Sequence, residues 1–448
     1  MAVTVKKNTF SIELPLLFAI FLDLVGFGMT FPDVQLRAQT YGAPGWMIGA
    51  ILASYYLVQM IASPRWGKLS DRTGRKPVLL LCGALSAASM VIYALGNSLG
   101  AMLLSRVAAG FGAANVVIAQ AYLTDAVDEQ ARSAAQGRMS AAVSAGLVLG
   151  PVIGGFLAQA GGNFLLGMSA AAASGCGALW ILIAVPSQAA PGERESEKGQ
   201  PRLSLLKDHS ALRRLFFVAI IGWFALACLE GTFGRLIQHT RGFGQLEFGL
   251  LLSVEAVVAV IQGALYPAFA RRLGARALLV LSYVLQTIGL ALMPFAPGLT
   301  TLILLSTLFG LGVGLATPTI NGRASMLTPP DRQGEVFGLL QSSRALGFLF
   351  GPILGGLLFD VRAEAPYLLA AACLAGLSVW LALSERHSHE HTHQPMIHSH
   401  VHVHDEHHQH EHLPGVDPTT PHAHEHTHEA LTHRHKHHAD LHHRHRHG

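Results

Sequence analysis

Five charged side chains lie inside long apolar segments, where a charge needs a partner. They are Asp23 in residues 14–31, Arg106 in residues 101–122, Glu230 in residues 215–233, Glu255 in residues 249–270 and Arg344 in residues 336–359. Arg344 could pair with an acid or reach the membrane interface. An ionised carboxylate at the centre of a bilayer costs at least about 2.5 kcal/mol, so it faces a water-filled cavity, pairs with a cation or holds a proton. We therefore predict that Asp23 and Glu230 bind protons or a cation. Arg106 would act on them through its fixed charge, and Glu255 is a further candidate of the same kind.

Two of these charges also have a purely structural interpretation. Asp23 could be a neutral acid that donates one hydrogen bond between neighbouring helices. Arg106 lies near one end of its apolar segment, so its long side chain could extend to the membrane interface. The sequence alone leaves these interpretations open.

Apolar segments dominate the chain. Of its 448 residues, 51% are hydrophobic and 13% are charged, whereas soluble domains carry about 25% charged residues. Twelve apolar segments can be distinguished, each close to the ~20 residues that a helix needs to cross a bilayer. Because a helix satisfies its own backbone hydrogen bonds in lipid, the sequence predicts an all-α membrane protein with 12 transmembrane helices.

Basic residues in the short connections predict the orientation. Arg and Lys residues follow the second, fourth, eighth and tenth segments, whereas connections such as residues 96–100 and 161–163 carry no charge. Short basic loops stay in the cytoplasm, so both termini are predicted to be cytoplasmic. The expected location is a plasma membrane, the inner membrane of a bacterium, which the chain crosses many times. The basic excess is a topology signal, and no nucleic-acid partner is predicted.

The two halves of the chain repeat each other. A set of glycines and one proline at the fifth apolar segment recurs 201 positions later in the eleventh segment. They are Gly137, Gly146, Gly150, Pro151, Gly154 and Gly155, which return as Gly338, Gly347, Gly351, Pro352, Gly355 and Gly356. Small residues allow a neighbouring helix to approach closely, and a proline bends its helix. The predicted domains are a six-helix bundle at 1–185, a linker at 186–214, a second bundle at 215–386 and a tail at 387–448.

Residues 67–77, GKLSDRTGRKP, form a short basic connection between the second and third segments. Gly67 and Gly74 are predicted to let the chain turn tightly at both ends of this connection. Its pattern G-x-L-x-D-R-x-G-R-K-P resembles the loop between the second and third helices of the major facilitator superfamily. The pattern from Asp23, D-x-x-G-x-G-x-x-x-P, resembles the first helix of its tetracycline and multidrug proton antiporters. The pattern from Arg106, R-x-x-x-G-x-G-A-A, resembles a fourth-helix motif linked to proton coupling, and the glycines up to Gly155 resemble the antiporter motif of drug exporters.

This resemblance implies two pseudo-symmetric six-helix bundles with a substrate site between them, no enzymatic activity, and a monomer. It also implies that Asp71 docks near the amino end of the eleventh helix while Arg75 reaches Asp125 at the end of the fourth. Such contacts would latch the halves shut on the cytoplasmic side. The implied gate residues are Gly67, Asp71, Arg72, Gly74, Arg75 and Asp125, and the antiporter-motif residues are Gly146, Gly150, Pro151, Gly154 and Gly155.

All but two of the 26 histidines lie after residue 386. The predicted metal ligands are His387, His389, His391, His393, His398, His400, His402, His404, His422, His424, His426 and His428. Flexible imidazoles at this density bind nickel, cobalt or zinc with little selectivity. The tail is too polar to fold alone and is predicted to be disordered. It resembles the histidine-rich carboxyl ends of nickel and cobalt exporters of the same superfamily.

The sequence thus predicts a proton-coupled antiporter that exports its substrate by alternating access. The preferred substrate is a divalent metal ion, nickel, cobalt or zinc, which the tail would collect. One alternative is a multidrug or tetracycline-like antiporter whose tail only buffers or senses metal, since buried acids suit lipophilic cations equally well. Another is a membrane-bound metal sensor that transports nothing. No cofactor is required, and the expected partners are a small-molecule or metal-ion substrate, protons and the lipid bilayer.

Overall fold

The computed structural model describes residues 9–127, 131–187, 209–328 and 332–383, together with four strands at 388–392, 396–402, 422–428 and 432–436. Two compact units divide the chain, Met1–Ala382 and Leu383–Gly448. Most of the predicted linker, residues 188–208, lies outside the described residues.

Helices follow the apolar segments of the first unit. They are α1 (Thr9–Thr40), α2 (Gly45–Thr73), α3 (Arg75–Leu95), α4 (Leu99–Gly112), α5 (Asn115–Ala126), α6 (Arg132–Ala184), α7 (Ser210–Arg241), α8 (Gln245–Leu292), α9 (Leu299–Met326), α10 (Gln333–Val361) and α11 (Ala365–Leu383). A short 3-10 turn, Met293–Phe295, follows α8. Across the ranges that the structure describes, and with α4 and α5 counted together as Leu99–Ala126, ten helices are long and apolar enough to cross a membrane. The chain is therefore an all-helical, multi-pass membrane protein in this unit.

Two of the helices are too long for one crossing. α6 has 53 residues and α8 has 48 residues, more than twice the ~20 residues of a single span. Gly161 and Gly162 interrupt the helical geometry of α6, and Gly274 interrupts that of α8. Gly162 and Gly274 have φ angles of 63° and 70°, which glycine adopts without a steric penalty. If each of these helices divides into two spans at its glycines, the unit crosses the membrane twelve times. The count of twelve stays a prediction.

The duplicated glycines determine which helices pack together. α6 packs along α1 in the first half, and α10 packs along α7 in the second. A Cβ atom added to Gly150 would lie 2.7 Å from the carbonyl oxygen of Val25, and one added to Gly351 would lie 3.0 Å from the backbone nitrogen of Cys228. These distances leave no room for a side chain, so glycine permits the same close helix pair in both halves.

The connection at residues 67–77 differs from its prediction. α2 continues to Thr73 and α3 begins at Arg75, so Gly74 alone forms the turn, with a φ of 92°. Gly67 lies inside α2, and the prediction that it turns the chain is wrong. The helix continues because Trp66 and Leu69, on either side of Gly67, pack against the hydrophobic core of the first half.

The tail contains paired strands. β1 (Ser388–Thr392) pairs with β4 (Thr432–Lys436), and β2 (Met396–His402) pairs with β3 (His422–His428), both antiparallel. In the second pair, the opposed positions are His398 and His426, His400 and His424, and His402 and His422. Alternation of histidine with other residues matches the two-residue period of a strand. The expectation of a wholly disordered tail is therefore corrected for these strands. The predicted ligands His387, His393 and His404 lie outside the described residues.

Candidate functional site

A cluster around Asp360 links the two halves at the end of the bundle remote from the α2–α3 turn. We call this end the far end and the opposite end, which carries the α2–α3 turn, the turn end. The carboxylate of Asp360, near the end of α10, lies 2.8 Å from Arg235 Nη2 of α7. It also accepts a hydrogen bond of 2.5 Å from the backbone N–H of Gly45, the first residue of α2. Because α2 belongs to the first half and α10 to the second, this cluster holds the far end closed.

Gln35 makes a second link at the far end. Its side chain, on α1, accepts a hydrogen bond of 3.2 Å from the backbone N–H of Gly234. It also donates one of 2.5 Å to the carbonyl oxygen of Glu230. Both partners belong to α7, so Gln35 fastens α1 of the first half to α7 of the second.

Asp33 makes a third link. Its side chain is buried, and its two carboxylate oxygens accept hydrogen bonds from the hydroxyl of Tyr93 and from the side-chain amide of Gln245. Tyr93 belongs to the first half and Gln245 begins α8 of the second. The positive charges of Arg37 and Arg106 also act on Asp33. An acid inside the first half therefore takes part in closing the far end.

Sequence analysis missed both Asp33 and Gln35. The first apolar segment ends at residue 31, which predicts that both residues lie in a connection, whereas α1 continues to Thr40. A signal was available in the sequence. Val34 and Ala38 are four residues apart and both are buried, which continues the helical repeat beyond the segment's apparent end.

Arg106 lies inside the first half and does not extend to the membrane interface. Its side chain is buried, and its guanidinium carbon lies 5.2 Å from the centre of the Tyr93 ring. Its Nη2 atom lies 3.5 Å from the hydroxyl of Thr30 on α1. Arg106 thus stands beside Asp33, an acid that had not been predicted to be its partner.

A cavity of about 510 Å³ lies on the turn-end side of these contacts. Sites for drug-sized ligands have volumes of roughly 300–1,000 Å³. Gln120 and Ser140 line the cavity from the first half, and residues of α7, α8, α9 and α10 line it from the second. Among the described lining residues, Arg344 is the one that carries a charge. The cavity lies between the halves, where a closed far end leaves access from the turn end.

Aromatic rings connect this cavity to the first half. The guanidinium carbon of Arg344 lies 5.1 Å from the ring centre of Trp223 and 5.5 Å from that of Phe348. The Phe348 ring lies 4.3 Å from that of Tyr56 on α2, and Tyr56 contacts Tyr55 at 5.0 Å. The rings offer flat apolar surfaces on which a planar ligand can stack.

Glu230 and Glu255 do not belong to the described lining of the cavity, but they interact electrostatically with each other and with its arginine. The charge of Glu230 acts on Glu255, and that of Arg344 acts on Glu230. Each of the three residues belongs to a different helix of the second half, α7, α8 and α10. The structure therefore brings two of the predicted acids together with an arginine from the cavity wall.

Asp23 is placed elsewhere. Its Oδ2 atom accepts a hydrogen bond of 3.1 Å from Asn115 of α5, and Ser86 of α3 and Ser174 of α6 stand beside the carboxyl group. These contacts connect four helices of the first half. None of the three acids belongs to the described lining of the cavity; Asp23 differs from Glu230 and Glu255 because its hydrogen-bond partner lies in the first half.

The implied gate residues lie together at the turn end. Arg75 is buried, and its guanidinium lies 3.1 Å from Asp125 and 2.6 Å from Asp71. It also donates a hydrogen bond of 2.7 Å to Ser70. Arg72 is exposed. Asp71 thus pairs with an arginine of its own half. Its docking against the amino end of α10, which is the eleventh predicted transmembrane helix, stays a prediction for a state in which the turn end is closed.

The antiporter-motif residues lie in two contacts at once. Gly146, Gly150 and Gly154 face α1, as described for Gly150 above. Gly155 faces α8 of the other half, where a Cβ atom on it would lie 2.8 Å from the Cα atom of Leu246. Pro151 lies between the two helices, with its ring close to Gly28 of α1 and its carbonyl oxygen close to Gly249 of α8. The motif therefore packs the helices of the first half and also forms part of the interface between the halves.

Comparison with known proteins identifies the family. The chain matches the Major Facilitator Superfamily over residues 16–281 and 215–405. It is 29% identical to Multidrug resistance protein 1 of Bacillus subtilis over 389 residues, which are 84% of this chain and 97% of that protein. It is 27% identical to Quinolone resistance protein NorA of Staphylococcus aureus over 378 residues, 83% of this chain and 96% of the other.

Solved structures share the fold. The nucleoside transporter NupG has a TM-score of 0.69 at 17% identity and covers 84% of this chain and 98% of its own. A bacterial homologue of the human lysosomal transporter Spinster, in an inward-facing and occupied conformation, has a TM-score of 0.66 at 15% identity, with 83% and 94% covered.

Proposed function

Because this chain belongs to the Major Facilitator Superfamily, we propose that it exports drug-like organic molecules from the cytoplasm in exchange for protons. The proposal rests on one observation above all, a drug-sized cavity between two halves that are joined at the far end. With the turn end in the cytoplasm, as the basic loops predict, this cavity accepts substrate from inside the cell. Rocking of the halves about the site would then open the far end.

The proposed cargo replaces the metal ion that sequence analysis preferred. Two relatives named above are multidrug and quinolone resistance proteins, and this supports the alternative of a multidrug antiporter. In the parts of the chain that the structure describes, no group of three or more His, Cys, Asp or Glu residues could hold a metal ion. A metal path through the membrane would need such ligands at each step.

Glu230 and Glu255 are the proposed carriers of the exchanged protons. The charge of Arg344, which lines the cavity, acts on Glu230, and the charge of Glu230 acts on Glu255. A cationic group that enters the cavity competes with a proton for the same carboxylate, because either one neutralises the buried charge. Binding of substrate from inside therefore releases a proton, and binding of a proton from outside releases the substrate.

Everted membrane vesicles test this proposal. Respiration acidifies their lumen, and an antiporter that carries substrate inwards must carry protons outwards. Addition of ethidium should raise the luminal pH in vesicles that contain the protein and not in vesicles without it. A rise in luminal pH with nickel chloride and no rise with ethidium would restore the metal interpretation. No response to either compound would contradict proton-coupled export altogether.

For the tail we propose a separate role as a reservoir of nickel, cobalt or zinc. The number of histidines supports this role, since all but two of the 26 lie after residue 386. The register of β2 and β3 sets His398, His400 and His402 each opposite one histidine, so the described strands supply pairs of imidazoles and no group of three. Imidazoles are good ligands for these borderline metals. Removal of residues 387–448 should abolish stoichiometric nickel binding by the purified protein and leave ethidium export unchanged. Equal nickel binding by the full and shortened chains would contradict the role.

A further inference from the structure

The cavity presents a positive charge and, in its described lining, no negative one. Arg344 is exposed to the cavity on α10 and stands near the Trp223 and Phe348 rings. Between described residues, the ion pairs do not include Arg344. Arg75 and Arg235, by contrast, each have a carboxylate within 3.1 Å. The guanidinium of Arg344 is thus available to a ligand.

We infer that Arg344 binds an anionic group of the substrate, and that the substrate is an aromatic zwitterion whose cationic group lies towards Glu230. This inference rests on the proposed function and adds the class of substrate to it. A guanidinium presents paired N–H donors in a plane and matches a carboxylate with two parallel hydrogen bonds. The Trp223 and Phe348 rings, whose centres are 6.1 Å apart, lie next to each other beside the Arg344 guanidinium and help to hold it in place.

The proton exchange explains why the substrate needs both charges. A purely anionic substrate on Arg344 would remove the positive charge that acts on Glu230 and would favour a proton there, so protons and substrate would leave together. A cationic group beside Glu230 has the opposite effect and displaces the proton. A zwitterion satisfies Arg344 with one group and exchanges with the proton through the other, which preserves antiport.

The remaining walls of the cavity suit a flat molecule with polar edges. The rings of Trp223, Phe348 and Tyr56 supply stacking surfaces, as described above. The amides of Gln286 and Gln341 supply hydrogen-bond donors and acceptors that carry no charge. Such groups orient a ligand without adding a second fixed charge to the site.

A matched pair of dyes tests the inference. Rhodamine 110 has a free carboxylate and a delocalised cation, and rhodamine 123 is its methyl ester, which keeps only the cation. Binding of each dye to the full chain in lipid nanodiscs is measured by fluorescence anisotropy. We expect the wild-type protein to bind rhodamine 110 about tenfold more tightly than rhodamine 123, a difference of about 1.4 kcal/mol.

Two substitutions of Arg344 locate the preference. Arg344→Gln should bind the two dyes equally, and Arg344→Lys should keep an intermediate preference because it keeps the charge without the planar pair of donors. Arg271→Gln, which removes an exposed arginine outside the described cavity lining, should keep the full preference. If Arg344→Gln fails to fold, the comparison of the dyes on the wild type and on Arg344→Lys decides.

Several results would overturn the inference. They are equal binding of the dyes by the wild type, tighter binding of the ester, or an unchanged preference in Arg344→Gln. The proposed function has its own readout, the luminal pH change that rhodamine 123 causes in everted vesicles. If rhodamine 123 changes the luminal pH but the protein does not bind rhodamine 110 more tightly than rhodamine 123, the inference alone is wrong. If no dye changes the luminal pH, proton-coupled export is wrong, whatever the dyes' relative affinities.

Discussion

The side-chain amide of Gln245 donates a hydrogen bond to the carboxylate of Asp33, and the two residues belong to opposite halves of the protein. Asp33 is buried beside Arg106, the arginine of the fourth-helix motif. Opening of the far end must break the contact with Gln245. The contact therefore places a charged group of the first half in a position to sense whether the far end is closed.

Loss of this contact should favour the state in which the far end is open. A hydrogen bond contributes about 0.5–1.5 kcal/mol, so Gln245→Ala should raise the far-end-open population by roughly two- to tenfold. Spin labels at Gln39→Cys and Gln238→Cys, both exposed at the far end, report the separation of the halves in a Cys176→Ser background.

The control for this experiment is Gln136→Ala. Gln136 also donates hydrogen bonds through its side-chain amide, to Gln120 and Thr124, but both partners lie in its own half. This variant should leave the distance distribution unchanged. Identical distributions for Gln245→Ala and Gln136→Ala would show that the contact between Gln245 and Asp33 does not control the far end.

Substitution of Asp71 tests the gate at the turn end. Asp71 pairs with Arg75 in the present state, and its predicted partner in the other state is the positively polarised amino end of the eleventh transmembrane helix. Asp71→Asn keeps the shape and removes the charge, so ethidium export should fall strongly while the protein still inserts into the membrane. Lys68→Gln, a nearby change of one charge, serves as the control and should export normally. Export by Asp71→Asn at the wild-type rate would remove the latch from this account.

The glycines of the antiporter motif make a prediction about stability. A Cβ atom on Gly154 would lie 2.7 Å from the Cα atom of Met29, so Gly154→Ala should destabilise the pair formed by α1 and α6 by about 1–3 kcal/mol. Gly137 begins the same motif, but a Cβ atom there meets no heavy atom within 4 Å. Gly137→Ala should therefore be neutral or slightly stabilising, since alanine favours the helix. Thermal unfolding in detergent compares the two variants, and equal unfolding temperatures would contradict the packing argument.

Sequence patterns predicted the membrane spans because apolar length is a local property. They also predicted close helix packing in both halves, because the same glycine spacing occurs in each half. The direction in which a side chain points is not local. Asp23 was correctly placed in a membrane helix, yet its surroundings are Asn115 and two serines of its own half, which no spacing along the chain reveals. Arg344 was noted only as a charge in a helix, because its place in the cavity depends on how the halves meet.

Substitution of the buried acids therefore distinguishes an acid that only stabilises the helix packing from acids that exchange protons. Everted vesicles with the wild-type protein should release luminal protons when ethidium is added. Glu230→Gln combined with Glu255→Gln removes both proposed carriers of the second half and should abolish the release. Asp23→Asn should retain it, because an amide can keep the hydrogen bond to Asn115 in the first half. The opposite pattern, release by the double variant and none by Asp23→Asn, would contradict the central claim that protons and substrate exchange at Glu230 and Glu255.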